Sequence, residues 1–189
     1  MESRIWLTSD WHFGHNRAFI YEPRGFKSIW EHDEAIIKRH NQVVNCNDIV
    51  YCLGDCMLGQ DISYGLSCIR RLNGKIYIIR GNHDTDNRWA AYNALYNALP
   101  LGWAEVIKHD YGRSYLSHYP TETSTLENAG SVKRNLINFH GHTHSTSIFA
   151  KDKPYQYNVG LDAHNCYPVR LDIAYEHIRK EKAACLSYL

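Results

Sequence analysis

Carboxylates and imidazoles recur beside glycine along this 189-residue sequence, which holds 12 histidines. They stand as Asp10-x-His12, Gly54-Asp55, Gly81-Asn82-His83-Asp84, His118 and Gly141-His142-x-His144. Carboxylate oxygen and neutral imidazole nitrogen together suit hard-to-borderline divalent cations. A lone Asp-x-His pair arises often by chance, so the weight rests on whether separate parts of the chain bring such groups together. If the backbone stays extended from residue 5 to His12, the period of two puts Asp10 and His12 on one side of a strand.

The intervening segments read as elements that place these groups in register. Apolar runs at 5–8, 49–53, 75–79 and 136–139 read as strands, the second buried on both faces. Each ends just before one of the polar clusters. Ser28 and Glu31 have the spacing of a capping box, opening a helix that carries Ala35, Ile36, Ile37, His40, Val43 and Val44. Further helices are expected over 62–72, with Gly74 as its C-cap, over 89–99, closed by Pro100 and Gly102, and over 171–182. Trp89, Tyr92 and Tyr96 would be core aromatics of the second of these. A hairpin turning at 110–112 leads to His118, and another turning at 152–154 leads to residues 157–160. Residues 121–134 read as a polar loop. Alternating strands and helices followed by hairpins imply an α/β class with mixed sheets. In such sheets the site lies beyond the carboxyl ends of the strands. Glycines before Asp55, Asn82 and His142 allow sharp turns or close backbone approach.

Composition sets the remaining bounds. The chain, 1–189, reads as one domain, with 44% hydrophobic and 22% charged residues and a net charge of +1. That balance argues against a surface that coats nucleic acid. No run approaches the roughly 18 apolar residues of a membrane span. With no signal-peptide pattern either, a cytoplasmic location and no membrane partner are expected. The six cysteines form no Cys-x-x-Cys pair and read as reduced, mostly buried thiols.

Taken in order, Asp10-x-His12, Gly54-Asp55, Gly81-Asn82-His83-Asp84, His118 and Gly141-His142-x-His144 resemble the calcineurin-like metallophosphoesterase superfamily. The string Asp-x-His-Phe-Gly-His further resembles its small, single-domain bacterial and phage branch. The resemblance implies a four-layer α-β-β-α sandwich and a site for two divalent metals at the strand ends. It implies that Asp10, His12 and His144 bind one metal, that Asn82, His118 and His142 bind the other, and that Asp55 bridges them. Manganese is the first choice, with iron, zinc, nickel and cobalt also suited. Two such metals would generate a bridging hydroxide nucleophile and stabilise the phosphoryl oxygens. His83 would then serve the leaving oxygen as general acid, with Asp84 orienting it.

The expected activity is hydrolysis of a small phosphoester, with a phosphodiesterase or broad phosphoesterase favoured over a phosphomonoesterase. A non-catalytic metal-binding scaffold and a metal-dependent nuclease are the competing classes. His15 either faces the site to contact substrate or braces its loop. Arg17 is a candidate phosphate contact, against the alternative of a solvated surface arginine. Arg80 and Arg113 share that alternative, Cys56 reads as a packed thiol, and His140 as a core histidine. The sequence does not speak to oligomeric state.

Overall fold

The computed structural model describes residues 3–124 and 135–187. Three short apolar runs form β1 (Ile5–Thr8), β2 (Ile49–Cys52) and β3 (Lys75–Ile79), which pair in parallel. Helices α1 (Ala18–Tyr21) and α2 (Ile29–Val43) precede β2, and α3 (Ile62–Arg70) connects β2 to β3. Ser28 caps α2 by accepting the Glu31 N–H at 3.2 Å, while the Glu31 carboxylate takes the Lys27 N–H at 2.9 Å. The capping box is therefore shifted by one residue on its return arm.

Register is what levels the strand ends. Thr8 lies opposite Cys52, and Cys52 opposite Ile78, so the loops after all three strands leave side by side. β4 (Ala98–Gly102) adds in parallel to β3, and β9 (Val169–Arg170) adds antiparallel to β1, giving the order β4-β3-β2-β1-β9. The second sheet has the order β5-β6-β7-β8. Its strands are β5 (Ala104–His109), β6 (Gly112–Ser117), β7 (Leu136–His140) and β8 (Gln156–Asn158). Among the described residues of this sheet only β5 and β6 form a hairpin; β6, β7 and β8 run parallel. A bridge between Ser9 and Gly160 joins the two sheets at the end where the polar clusters emerge.

Two apolar clusters hold these layers. One joins the first sheet to its helices through Trp6, Val50, Cys52, Ile76 and Ile78 against Ile36, Ile37, Leu66 and Ile69. The other brings Leu7, Leu53 and Ile79 against Leu116, Ile137, Phe139 and Tyr157 of the second sheet. Ala174, Tyr175 and Ile178 of α5 (Leu171–Leu186) share that second cluster. Alternate residues of β1 thus serve different cores, Trp6 one and Leu7 the other. The class is α/β with mixed sheets, as expected. No described helix is long and apolar enough to cross a membrane.

Several local expectations are corrected. The helix expected over 89–99 is instead α4 (Asp86–Ala91), a 3-10 turn at Tyr92–Ala94, and then β4. Pairing with β3 overrides the aromatic spacing, and Pro100 is tolerated because β4 is an edge strand. Of its supposed core aromatics Tyr92 is buried, but Tyr96 is 82% exposed. The turn at 152–154 makes no hairpin, since β8 pairs in parallel with β7. Gly74 is not a C-cap; Arg71 holds that place, and Gly74, with φ +91°, turns the chain into β3. The last helix continues to Leu186. Of the polar loop at 121–134, residues 125–134 lie outside the described residues.

Candidate metal centre

The strand-end loops converge through backbone that ordinary residues rarely adopt. Asp10, His12, Asp55, His142 and His144 all have positive φ, between 49° and 68°. The extended Asp10–His12 segment expected from a period of two is therefore not found. Chain beyond Thr8 instead turns twice, which aims both side chains inward. Such conformations cost on the order of 1 kcal/mol or more each and persist only where surrounding contacts hold them. Those contacts are visible: Asp10 N–H donates to Gly54 O at 3.1 Å, and His12 N–H to Asp55 O at 3.0 Å. His142 N–H donates to the Asp10 carboxylate at 3.0 Å.

The glycines let these loops touch. A Cβ on Gly81 would collide with Asp55, and one on Gly141 would collide with Ser9 and Asp10. Close backbone approach, rather than turning, is their role here.

Two sets of donor atoms cluster, each within 4.8 Å: Asp10, His12 and His144, and Asp10, Asp55 and His118. Asn82 Oδ1 lies 2.9 Å from both His118 Nε2 and His142 Nδ1, which ties the remaining expected residues to the second set. His118 Nε2 is 3.4 Å from Asp55 Oδ2, and His12 Nε2 is 3.8 Å from the same oxygen. All seven residues expected as ligands thus meet in one place. Asp10 stands nearer the middle than expected, since it belongs to both sets.

The hydrogen-bond polarity of this cluster fits cations. His118 Nδ1 donates to Leu53 O at 2.7 Å, which leaves Nε2 facing the oxygens of Asn82 and Asp55. His144 Nδ1 donates to Asp162 Oδ2 at 3.0 Å, which leaves its Nε2 3.2 Å from His12 Nε2. Lone pairs facing one another at that range repel unless a proton or a metal cation lies between them. A histidine whose outer nitrogen is bonded to a carboxylate or carbonyl is the usual form of a metal-bound imidazole. The donor set fits two divalent cations.

The charges of the cluster balance burial against one another's fields. Burial opposes charge on Asp55, but His118, His12 and the His83 N–H outweigh it and lower its pKa to about 2. Burial likewise opposes protonation of His118, yet Asp55 and Asp10 raise its pKa. Burial dominates at Asp10, raising its pKa, and at His12, lowering it well below the ordinary range. Burial also opposes the charge of Asp162, which hydrogen bonds from Arg24 and His144 nonetheless keep ionised.

His83 borders the cluster. Its ring centroid lies 5.7 Å from that of His12, and its N–H donates to Asp55 Oδ1 at 2.9 Å. Arg88 holds the His83 carbonyl through Nη1 at 2.9 Å. Contrary to expectation, Asp84 is not bonded to the His83 ring; its carboxylate accepts the N–H groups of Asp55 and Gly81 at 2.9 and 2.8 Å, and the Tyr92 hydroxyl. A carboxylate buried beside a loop finds backbone N–H donors before it finds a half-exposed ring.

His15 lies between site and surface, its ring centroid 5.6 Å from both His12 and Phe19. Burial, then the charges of His83 and Arg17, lower its pKa. Arg17 itself is exposed at the start of α1. Arg80 is taken up by Trp89, Trp103, Asp86 and the Asp84 carbonyl. Arg113 is exposed on β6, away from the strand ends. Cys56 is a buried thiol 3.5 Å from Cys52 Sγ, and His140 is buried with Nδ1 on Gly141 O at 3.0 Å. Sequence reasoning missed Asp162, Arg24 and Arg88, which lie outside the glycine-flanked clusters. A cavity of about 470 Å³ at the opposite end of β1, lined by Arg4, His109 and Arg170, contains none of these groups.

Comparison with known proteins bears out the fold class. An uncharacterized protein of Methanocaldococcus jannaschii is 32% identical over 184 residues, covering 95% of this chain and 93% of its own. The gene 66 protein of Mycobacterium phage L5 is 32% identical, covering 85% of this chain and 87% of its own. In fold, the chain is similar to a protein of unknown function from Aquifex aeolicus, with a TM-score of 0.70, 23% identity, and coverage of 93% and 99%. The family model for calcineurin-like phosphoesterases matches residues 3–181. The chain belongs to that family and is a metal-dependent phosphoesterase.

Proposed function

We propose that this protein hydrolyses phosphodiesters, or phosphoesters broadly, at a dinuclear centre held by Asp10, His12, His144, Asn82, His118 and His142, with Asp55 shared. The observation that carries this reading is the hydrogen-bond polarity of the cluster. His118 and His144 each commit Nδ1 outward and turn Nε2 into the cluster, His118 toward Asn82 and Asp55 oxygens and His144 toward His12 Nε2. When bound, a pair of divalent cations supplies charge that lowers the pKa of water and stabilises phosphoryl oxygens; manganese is the first candidate.

The protein's own side chains supply the rest. His83 stands at the half-exposed edge of the cluster, where a proton can pass from its ring to a departing alkoxide. Its backbone is held at both ends, by Asp55 Oδ1 and by Arg88, and its ring packs edge-on to that of His12. Asp84 serves the reaction indirectly, by fixing the Asp55 and Gly81 amides. His15 and the charge of Arg17 stand on the side where substrate would approach.

The lean toward diesters comes from the open mouth. Asn82 and His144 are exposed, which leaves room for a second substituent on phosphorus. Metal-loaded protein should cleave bis-p-nitrophenyl phosphate at least as well as p-nitrophenyl phosphate. A large monoester preference would overturn the lean, and no turnover of either by metal-loaded protein would overturn the proposed activity.

A further inference from the structure

A buried ion pair runs from the loop that carries Asp10 to the ring of His144. Arg24, between α1 and α2, has a side chain only 2% exposed, and Asp162 one 11% exposed. Arg24 Nε and Nη2 donate to the two oxygens of Asp162 at 2.9 and 2.8 Å. The same Nη2 donates to the Asp10 carbonyl at 3.0 Å, and Nη1 donates to His32 Nε2 at 2.9 Å. His32 Nδ1 then donates to Asp33 Oδ1 at 2.7 Å, and Asp33 Oδ2 accepts the Gly14 N–H at 2.9 Å. Every donor in this chain meets an acceptor, so its polarity is fixed from Gly14 to His144.

The geometry has two consequences for the same three residues. Loop 10–14 is pinned at one end through the Asp10 carbonyl and at the other through the Gly14 amide. His144 has its Nδ1–H committed to Asp162, so its Nε2 lone pair is the one presented beside His12. From these contacts we infer that Arg24 and Asp162 are positioning residues for the cation bound by Asp10, His12 and His144. This inference rests on the dinuclear reading above. Packing alone would not call for the pair, because buried ion pairs seldom outdo apolar residues of similar volume. Fixing a tautomer and a loop at once does call for it, since a charged carboxylate both orients an imidazole and raises its basicity.

The test is Mn²⁺ binding by metal-stripped full-length protein, followed by titration calorimetry and elemental analysis. Wild type is expected to show two sites. Asp162→Asn should weaken one of them on the order of 10–100-fold and leave the other near its wild-type affinity. The double variant Arg24→Met, Asp162→Asn leaves no buried charge unpaired. If the pair serves only stability, the double variant regains both sites; if it positions His144, the weakened site stays weak. Long-range ¹H–¹⁵N spectra should also show the Nδ1–H form of His144 in wild type and its loss in Asp162→Asn. Wild-type affinities in both variants, or an equal loss at both sites, would overturn the inference alone. Wild type that takes up no Mn²⁺ would overturn it together with the dinuclear reading.

Discussion

The Tyr92 hydroxyl donates to Asp84 Oδ1 at 2.5 Å, and the opposite oxygen of that carboxylate holds the Asp55 and Gly81 amides. A residue from a 3-10 turn thereby steadies the shared candidate ligand from behind. Burial raises the Asp84 pKa, though these donors oppose that shift. Tyr92→Phe keeps the ring and removes one charge-assisted hydrogen bond, so it should cost about 1.5–3 kcal/mol. Urea unfolding at neutral pH checks it, and an unchanged midpoint would contradict the role.

Asp55→Asn removes the charge that His12 and His118 both approach. If Asp55 is shared as proposed, it should lower the affinity of both cations, because a single carboxylate would then serve the two halves. Elemental analysis of the variant decides this; a wild-type stoichiometry would rule out sharing.

His83→Ala should spare both cations while lowering turnover by about 10²–10⁴-fold, the usual contribution of a general acid. Its N–H bond to Asp55 is a backbone contact and survives the substitution. The variant should lose least with substrates whose leaving group needs no proton, such as p-nitrophenolate. Equal losses for nitrophenyl and alkyl esters would argue against proton donation.

Away from the site, burial lowers the His40 pKa from 6.5 to about 4, although its hydrogen bond to Asn73 O works the other way. Between those values the unfolded chain binds a proton that the folded chain refuses. The contribution to stability is therefore complete above pH 6.5 and lost as pH falls toward 4. A shift of that size corresponds to about 3 kcal/mol. His40→Gln should flatten the difference in unfolding free energy between pH 7.5 and 4.5 by about that amount. An equally steep loss in the variant would count against it.

Much of the site was legible in the amino-acid order alone. β3 and the start of β1 have the expected limits because short β-branched runs leave little choice. The candidate ligands were legible because each stands where such a run stops, and Gly81 and Gly141 because nothing larger fits against Asp55 and Asp10. The stretch after Ala91 was not legible. Its aromatics have helical spacing, but the free edge of β3 captures residues 98–102, and that edge exists only once the sheet has formed. The turn at 152–154 misled for a similar reason: partner choice belongs to the sheet, not the turn.

The sequence by itself determined which side chains could bind cations, because donor chemistry belongs to residue type and strand ends belong to local pattern. Only the tertiary structure decided how they are held. Asp84 turned from His83 to the Asp55 amide, and Arg24 and Asp162 joined the site from positions 138 residues apart. Such partners are set by which buried groups lack a hydrogen bond once the layers close, and no local pattern carries that information.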